Sequence, residues 1–259
     1  MQDFNLINNC ISTFIKSHVE IGNFNGVVLG LSGGIDSSVV AYCAVQALGN
    51  KSVLGLLLPD KEITPQKDID DALKICNILN LNYKITYIND IKEKFLEVIE
   101  RKDNKLAKGN LVSRIRMCIL YYYANLLNSL VLGTSNKTEI TIGYFTKFGD
   151  GGNDLSPIGD LYKTQVKEFA KFLNIPEDII NKKSSARLWE NQQTEDEIGL
   201  SFKDLDSILM FINNNDNHKT INLVYKNFPL ISKEKISHIL SLKKKNAHKI
   251  KFANICNLN

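Results

Sequence analysis

The sequence predicts an α/β fold built on a doubly wound parallel sheet with helices on both faces, and three observations predict it. Short apolar runs recur at 27–31, 52–58, 83–88 and 129–133. The first is continuously apolar, as a strand buried on both faces reads. The stretches between the runs carry helical periodicity, which makes the connections crossovers and the strands parallel. The first run ends in a glycine-rich turn, and ligands of such sheets lie at the carboxyl ends of the strands.

In chain order, residues 3 to 21 set Phe4, Ile7, Ile11, Phe14, Ile15 and Val19 on one stripe, an amphipathic helix ahead of the first strand. After the turn, Val39, Val40, Cys43, Ala44, Ala47 and Leu48 share a helical face, and Gly49-Asn50 is a stop signal. The second strand closes at Pro59, and Gln66 to Leu79 is a helix with Ile69, Leu73, Cys76 and Leu79 on one face. Residues 90 to 107 read as a charged helix. Lys108-Gly109-Asn110 then precedes a helix over 111–127, whose Tyr121-Tyr122-Tyr123 run reads as core or subunit interface.

The segment 141–159 is rich in Gly, Asp and aromatic residues, the composition of a long functional loop. A helix over 160–173 follows, with a short helical turn after Ile175. Residues 181–200 hold the single tryptophan and few other apolar residues, and read as a lid. Small helices over 202–212 and 233–242 precede a tail with Lys243-Lys244-Lys245 and His248-Lys249.

The length of 259 residues fits one α/β domain spanning 1–259. With 44% hydrophobic and 23% charged residues the chain is globular in composition rather than disordered. Its net charge of +4 suits anionic nucleotide substrates, but 32 basic against 28 acidic residues make no nucleic-acid footprint. The five cysteines have no C-x-x-C spacing, three fall within apolar helical patterns, and they read as buried thiols in a reducing cytosol. No signal peptide or membrane-length apolar run is present, so a cytoplasmic protein without membrane or nucleic-acid partners is expected.

The chemistry concentrates in Gly30-Leu31-Ser32-Gly33-Gly34-Ile35-Asp36-Ser37. Paired glycines let an anion approach backbone N–H groups, and a helix N-terminus adds free donors and partial positive charge. The serine hydroxyls can donate to phosphate oxygens, and Asp36 suits a magnesium ion carried by a nucleotide. Neither the P-loop pattern nor G-x-G-x-x-G is present, so this is another kind of phosphate loop. The fourth strand delivers Thr134 and Glu139 to the same sheet edge. With four histidines and no serine or cysteine triad pattern, no catalytic nucleophile is apparent.

The string Ser32 to Ser37 resembles the SGGxDS signature of the PP-loop ATP pyrophosphatases, whose members include GMP synthetases, asparagine synthetases, tRNA thiolases and NAD synthetases. Three further strings narrow the resemblance: Lys108-Gly109-Asn110 with Arg114-Ile115-Arg116-Met117, then 133–139, then 143–163. In order and spacing they resemble the ammonia-dependent NAD synthetases over about residues 25–200, with His248-Lys249 also matching.

That resemblance implies amidation of deamido-NAD by ammonia through an acyl-adenylate, with ATP as co-substrate and Mg2+ as cofactor. It implies that Gly30, Leu31, Ser32, Gly33, Gly34, Ile35, Asp36, Ser37, Thr134, Lys163 and Ser185 bind ATP. Asp36 and Glu139 would hold the metal, and Arg114, Lys147, Asp154, His248 and Lys249 would contact deamido-NAD. Asp150 and Lys163 are the candidate catalytic groups, Asp150 as the holder of ammonium. For Arg116 and Lys137 a salt-bridge role competes with ligand contact. Arg187 departs from the acidic or small residue frequent in the family, and 59–66 matches no assignable string. A homodimer is implied, with the N-terminal stripe and the tyrosine-bearing helix as its apolar surface. No glutaminase region is expected within 1–259, so free ammonia is the expected nitrogen donor.

Overall fold

The computed structural model describes residues 3–99, 103–214, 221–251 and 255–256. Helix α1 (Phe4–Ile21) leads to strand β1 (Gly26–Gly30), helix α2 (Ile35–Leu48), β2 (Val53–Leu57), α3 (Gln66–Leu79) and β3 (Asn82–Ile85). Helices α4 (Asn89–Val98) and α5 (Lys105–Leu127) then carry the chain to β4 (Ser129–Leu132). The four strands are parallel in the order β3-β2-β1-β4. The order reverses between β1 and β4, and that is where a crevice opens in such a sheet.

Alternation along β1 explains the double winding. Val27 and Leu29 enter a core shared with α1, α2 and α3, while Val28 enters a second core with Val112, Ile115 and Ala124 of α5. Beyond β4, α6 (Lys137–Ile142) is followed by turns to α7 (Lys163–Phe172) and α8 (Glu177–Ile180). Helices α9 (Thr194–Ile198), α10 (Phe202–Asn214), α11 (Ile221–Asn227) and α12 (Lys233–Ile250) build a third cluster around Leu205, Ile208, Leu209 and Ile236, which also takes in Ile142 of α6.

Several details depart from the sequence-based expectation, among them the cysteines, of which Cys43 and Cys76 are buried but Cys10, Cys118 and Cys256 are exposed. The third strand lies at the sheet edge and is exposed along its length, whereas β4 at the opposite edge is partly to fully buried. Lys108-Gly109-Asn110 lies inside α5, where Gly109 is needed: a Cβ there would stand 2.8 Å from Leu188. Helix α3 buries Asp68 and Asp71 together with Ile69 and Cys76, while Leu73 and Leu79 are only half-buried. Helix α12 continues through the lysine run, so His248 and Lys249 form its last turn. The charged stretch 90–107 is two helices, and its residues 100–102 lie outside the described residues, as does His218 among the four histidines.

Candidate active site

The turn after β1 takes the shape its glycines permit. Gly33 has φ +72, a left-handed conformation costly for other residues, and a Cβ there would sit 2.1 Å from the Asp68 carbonyl oxygen. Gly34 is the N-cap of α2, with no side chain to cover the first-turn N–H groups. Ser32 Oγ and Ser37 Oγ stand 3.1 Å apart, and both Ser37 Oγ and Ser38 Oγ donate to the Gly34 carbonyl, at 3.0 and 2.9 Å. The hydroxyls thus hold the loop on itself and leave the open helix N-terminus as its anion-facing feature.

Neighbouring β1 and β4 bring Asp36 to the loop after β4. Asn136 Nδ2 donates to Asp36 Oδ1 at 3.0 Å, and Asn136 caps α6 in a reciprocal box with Glu139. Lys163, the first residue of α7 and almost wholly buried, forms an ion pair with Asp36 Oδ2. Two carboxylates and one lysine therefore share the crevice. Burial pushes the Glu139 carboxyl up to about 8, and the charge of Asp36 adds to the rise. Burial works against the Lys163 charge, but Asp36 and Glu139 outweigh it and hold its pKa above the ordinary lysine value. Asp36 and Glu139 offer an all-oxygen donor pair of the kind a hard divalent cation takes, and a cation seated there would favour the ionised form of Glu139.

Asp150 lies in the glycine-rich segment after α6. Its Oδ1 accepts from Ser113 Oγ at 2.7 Å and from the Thr146 N–H at 2.9 Å, and its charge is felt at Glu139, Arg116 and Lys249. The last turn of α12 docks on the same segment. Lys249 Nζ donates to the carbonyls of Gly143 and Phe145 at 2.7 and 2.9 Å, and Lys147 Nζ donates to the His248 carbonyl at 2.7 Å. Arg114 Nη2 donates to the Lys147 carbonyl at 3.3 Å. Arg114, Lys147, His248 and Lys249, scattered in sequence, thus meet.

Other candidates stand apart. Both oxygens of Asp154 are engaged, by Tyr121 Oη at 3.0 Å and the Val131 N–H at 2.7 Å. Thr134 is half-buried just beyond β4, and Ser185 Oγ accepts from the Arg187 N–H at 3.1 Å. Lys137 pairs with Asp160 at 2.7 Å and lies over the Tyr162 ring, a structural role. Arg116 donates from Nε to the Leu58 carbonyl at 3.0 Å, and burial lowers its pKa.

Sequence reasoning missed several groups. Asn136 bridges the two loops, and nothing in its spacing distinguishes it from an ordinary helix cap. Lys182 Nζ donates to the Gly33 carbonyl at 2.8 Å and pairs with Asp68 at 3.0 Å and with Asp71, which ties 181–200 to the phosphate loop. Arg187 Nε pairs with the same Asp68 at 2.7 Å, which accounts for the unexpected arginine. The unassigned segment after Pro59 is anchored by Asp60, fully buried and bonded to Lys92 Nζ at 3.0 Å and Asn89 Nδ2 at 2.9 Å. Acidic residues at helical spacing in α3 were the available signal for the Lys182 partners.

Comparison with known proteins agrees with this arrangement. The family model described as NAD synthase matches residues 7–253. An NH(3)-dependent NAD(+) synthetase of Methanocaldococcus jannaschii is 48% identical over 246 residues, covering 93% of this chain and 92% of that protein. Among solved structures, an NMN synthetase from Francisella tularensis superposes with a TM-score of 0.87 at 32% identity, covering 100% of both chains. The NH3-dependent NAD synthetase of Campylobacter jejuni, solved with a nitrate ion, gives 0.83 at 35% identity, covering 99% of this chain and 100% of that one. A glycine turn, two carboxylates and a lysine on one sheet edge, within a chain matched almost end to end, lead to one conclusion: the chain belongs to the NAD synthase family.

Proposed function

We propose that this chain amidates deamido-NAD with ammonia at the expense of ATP, releasing AMP, pyrophosphate and NAD. The observation that carries the reading is the meeting of Asp36, Glu139 and Lys163 beside the open N-terminus of α2. In the first step a nicotinate carboxylate oxygen attacks the α-phosphorus of ATP and the bond to the β-phosphate bridging oxygen breaks. The demand is positioning and stabilisation of the charge leaving on pyrophosphate. The N–H groups of the Gly33–Ser37 turn receive that charge, and Lys163 supplies a buried cation beside it. Asp36 and Glu139 would hold a magnesium ion, which when bound neutralises phosphate charge. Thr134 and Ser185 would contact ATP from the flanking loops.

In the second step ammonia attacks the activated carbonyl carbon, AMP leaves with the bonding pair, and one proton must be removed from nitrogen. Asp150 is the acceptor in this reading, held in place by Ser113 and the Thr146 N–H. Arg114, Lys147, His248 and Lys249 form the dinucleotide-binding side, and Asp154, apart from them beside β4, would contact the same substrate. Two copies pair as a homodimer. Within the α1 stripe Ile11, Ile15 and Val19 are buried while Phe14 is exposed, and further exposed apolar residues lie on α4 and on the tyrosine-bearing α5. Phe95, Val98, Leu106, Tyr122 and Leu126 are exposed there. No helix among the described residues is long and apolar enough to cross a membrane.

The test is AMP formation from ATP with magnesium, ammonium and deamido-NAD, with glutamine replacing ammonium in a parallel arm. AMP and NAD appearing with ammonium is the expected result, and none appearing refutes the reading. The Francisella NMN synthetase match favours a second reading, with nicotinate mononucleotide as the acyl donor, so that substrate belongs in the same assay.

A further inference from the structure

Asp206 of α10 is 1% exposed, forms no ion pair among the described residues, and is absent from the chemistry set out above. Three donors converge on its two oxygens. Thr138 Oγ1 donates to Oδ1 at 2.5 Å, and Oδ2 accepts from the Thr164 N–H at 2.8 Å and from Thr164 Oγ1 at 2.7 Å. Thr138 Oγ1 in turn accepts from the Lys163 N–H at 2.9 Å. Thr138 immediately precedes Glu139, and Thr164 immediately follows Lys163. One buried carboxylate from the third helical cluster thus grips the first turns of both α6 and α7, the two helices that carry Glu139 and Lys163.

We propose that Asp206 is a positioning residue, one that sets the Lys163 ammonium and the Glu139 carboxylate in register with Asp36 by clamping the starts of α6 and α7. The proposal rests on the functional reading above for the roles of Lys163 and Glu139. A buried carboxylate is costly unless hydrogen-bonded, and here every bond it accepts comes from the two helix starts. Its geometry demands a carboxylate. In Asp206→Asn, the amide turned one way leaves the Thr138 hydroxyl proton without an acceptor. Turned the other way, it sets an N–H2 against the Thr164 N–H. The cluster around Leu205 and Ile208 holds α10 rigid, so the clamp transmits the position of α10 to the crevice.

The experiment compares Asp206→Asn, Thr164→Val and Thr164→Ser with the unmodified protein. The readouts are kcat per folded molecule, ATP affinity by calorimetry and KM for deamido-NAD, with the folded fraction taken from urea titration. Asp206→Asn should lower kcat at least tenfold and weaken ATP binding at least fivefold, with KM for deamido-NAD within twofold. Thr164→Val, which removes one of the three bonds, should lose at least threefold in kcat, and Thr164→Ser should stay within twofold of the unmodified protein. If Asp206→Asn does not fold, the Thr164 pair decides alone. Variants that lose stability while kcat and ATP affinity per folded molecule stay unchanged overturn the proposal. If the unmodified protein makes no AMP from deamido-NAD, the functional reading fails, and the ATP-affinity comparison still tests Asp206.

Discussion

Replacing Lys92 by Met should destabilise the protein by about 3 kcal/mol, because it strands a buried charge. Asp60 has no solvent exposure, and its partner Lys92 is 8% exposed in its side chain, with the Nζ of Lys92 3.0 Å from Asp60 and 2.7 Å from Glu62. Removing one partner of a buried pair costs roughly 3–5 kcal/mol, most of it the penalty of the remaining charge. Asp60 would keep bonds from Asn89 Nδ2 at 2.9 Å and from the Glu62 N–H at 3.1 Å, which places the loss at the lower end. At a urea m-value of about 3 kcal/mol/M the unfolding midpoint falls by about 1 M. The pH dependence has a definite sign. Burial pushes the Lys92 ammonium toward losing its proton, but Glu62 and Asp60 more than reverse this, so its pKa lies above the ordinary 10.5. The stability contributed by that raised pKa is complete below the unfolded value and is lost as pH rises through the folded one. The difference between the unmodified protein and Lys92→Met should therefore be flat from about pH 7 to 9 and shrink above about 10.5. Adding Asp60→Asn to Lys92→Met should recover part of the loss, since no charge is then stranded. A midpoint shift below about 0.3 M, or a double variant weaker than Lys92→Met alone, would refute the reasoning.

Three further perturbations bear on the crevice. Gly33→Ala forces a side chain into a left-handed backbone 2.1 Å from the Asp68 carbonyl, so it should cost about 1–3 kcal/mol and lower AMP formation at least tenfold, measured by urea titration and by AMP release from ATP with deamido-NAD and ammonium. Asp36→Asn should weaken magnesium-dependent turnover at least tenfold; unchanged turnover across a magnesium titration would remove Asp36 from the metal site. Lys249→Met deletes two bonds to the Gly143 and Phe145 carbonyls and should raise KM for deamido-NAD several-fold with KM for ATP unchanged, read from initial rates with each substrate varied in turn.

Local patterning carried most of the fold. Strand β1, the helix over 66–79 and the helix that carries Val39 to Leu48 are visible because a continuous apolar run and apolar spacing at a period of 3.6 are properties of neighbouring residues. The same holds for the turn at Ser32 to Ser37, where the residues that shape the backbone and those proposed to meet a phosphate are one string. The exposure of β3 was not legible, since an edge position depends on strand order and Tyr83, Lys84 and Ile85 read alike in the centre or at the margin. The extent of α12 was hidden by its lysine run, which looks like a solvated tail until Lys249 reaches the carbonyls after α6.

What the sequence by itself determined, then, is a glycine-rich turn with an aspartate at the edge of a parallel sheet, with Glu139 delivered to the same edge. Residue type and local spacing suffice for that, whereas Lys163 was singled out only by the resemblance to the NAD synthetases. What only the tertiary structure decided is which groups hold the chemistry in place. Asn136 reaches Asp36 across one hundred residues of sequence, Lys182 reaches Gly33 across 149, and Asp206 reaches Thr138 across 68. A hydrogen bond acts over about 3 Å, and only the folded chain brings such distant residues that close.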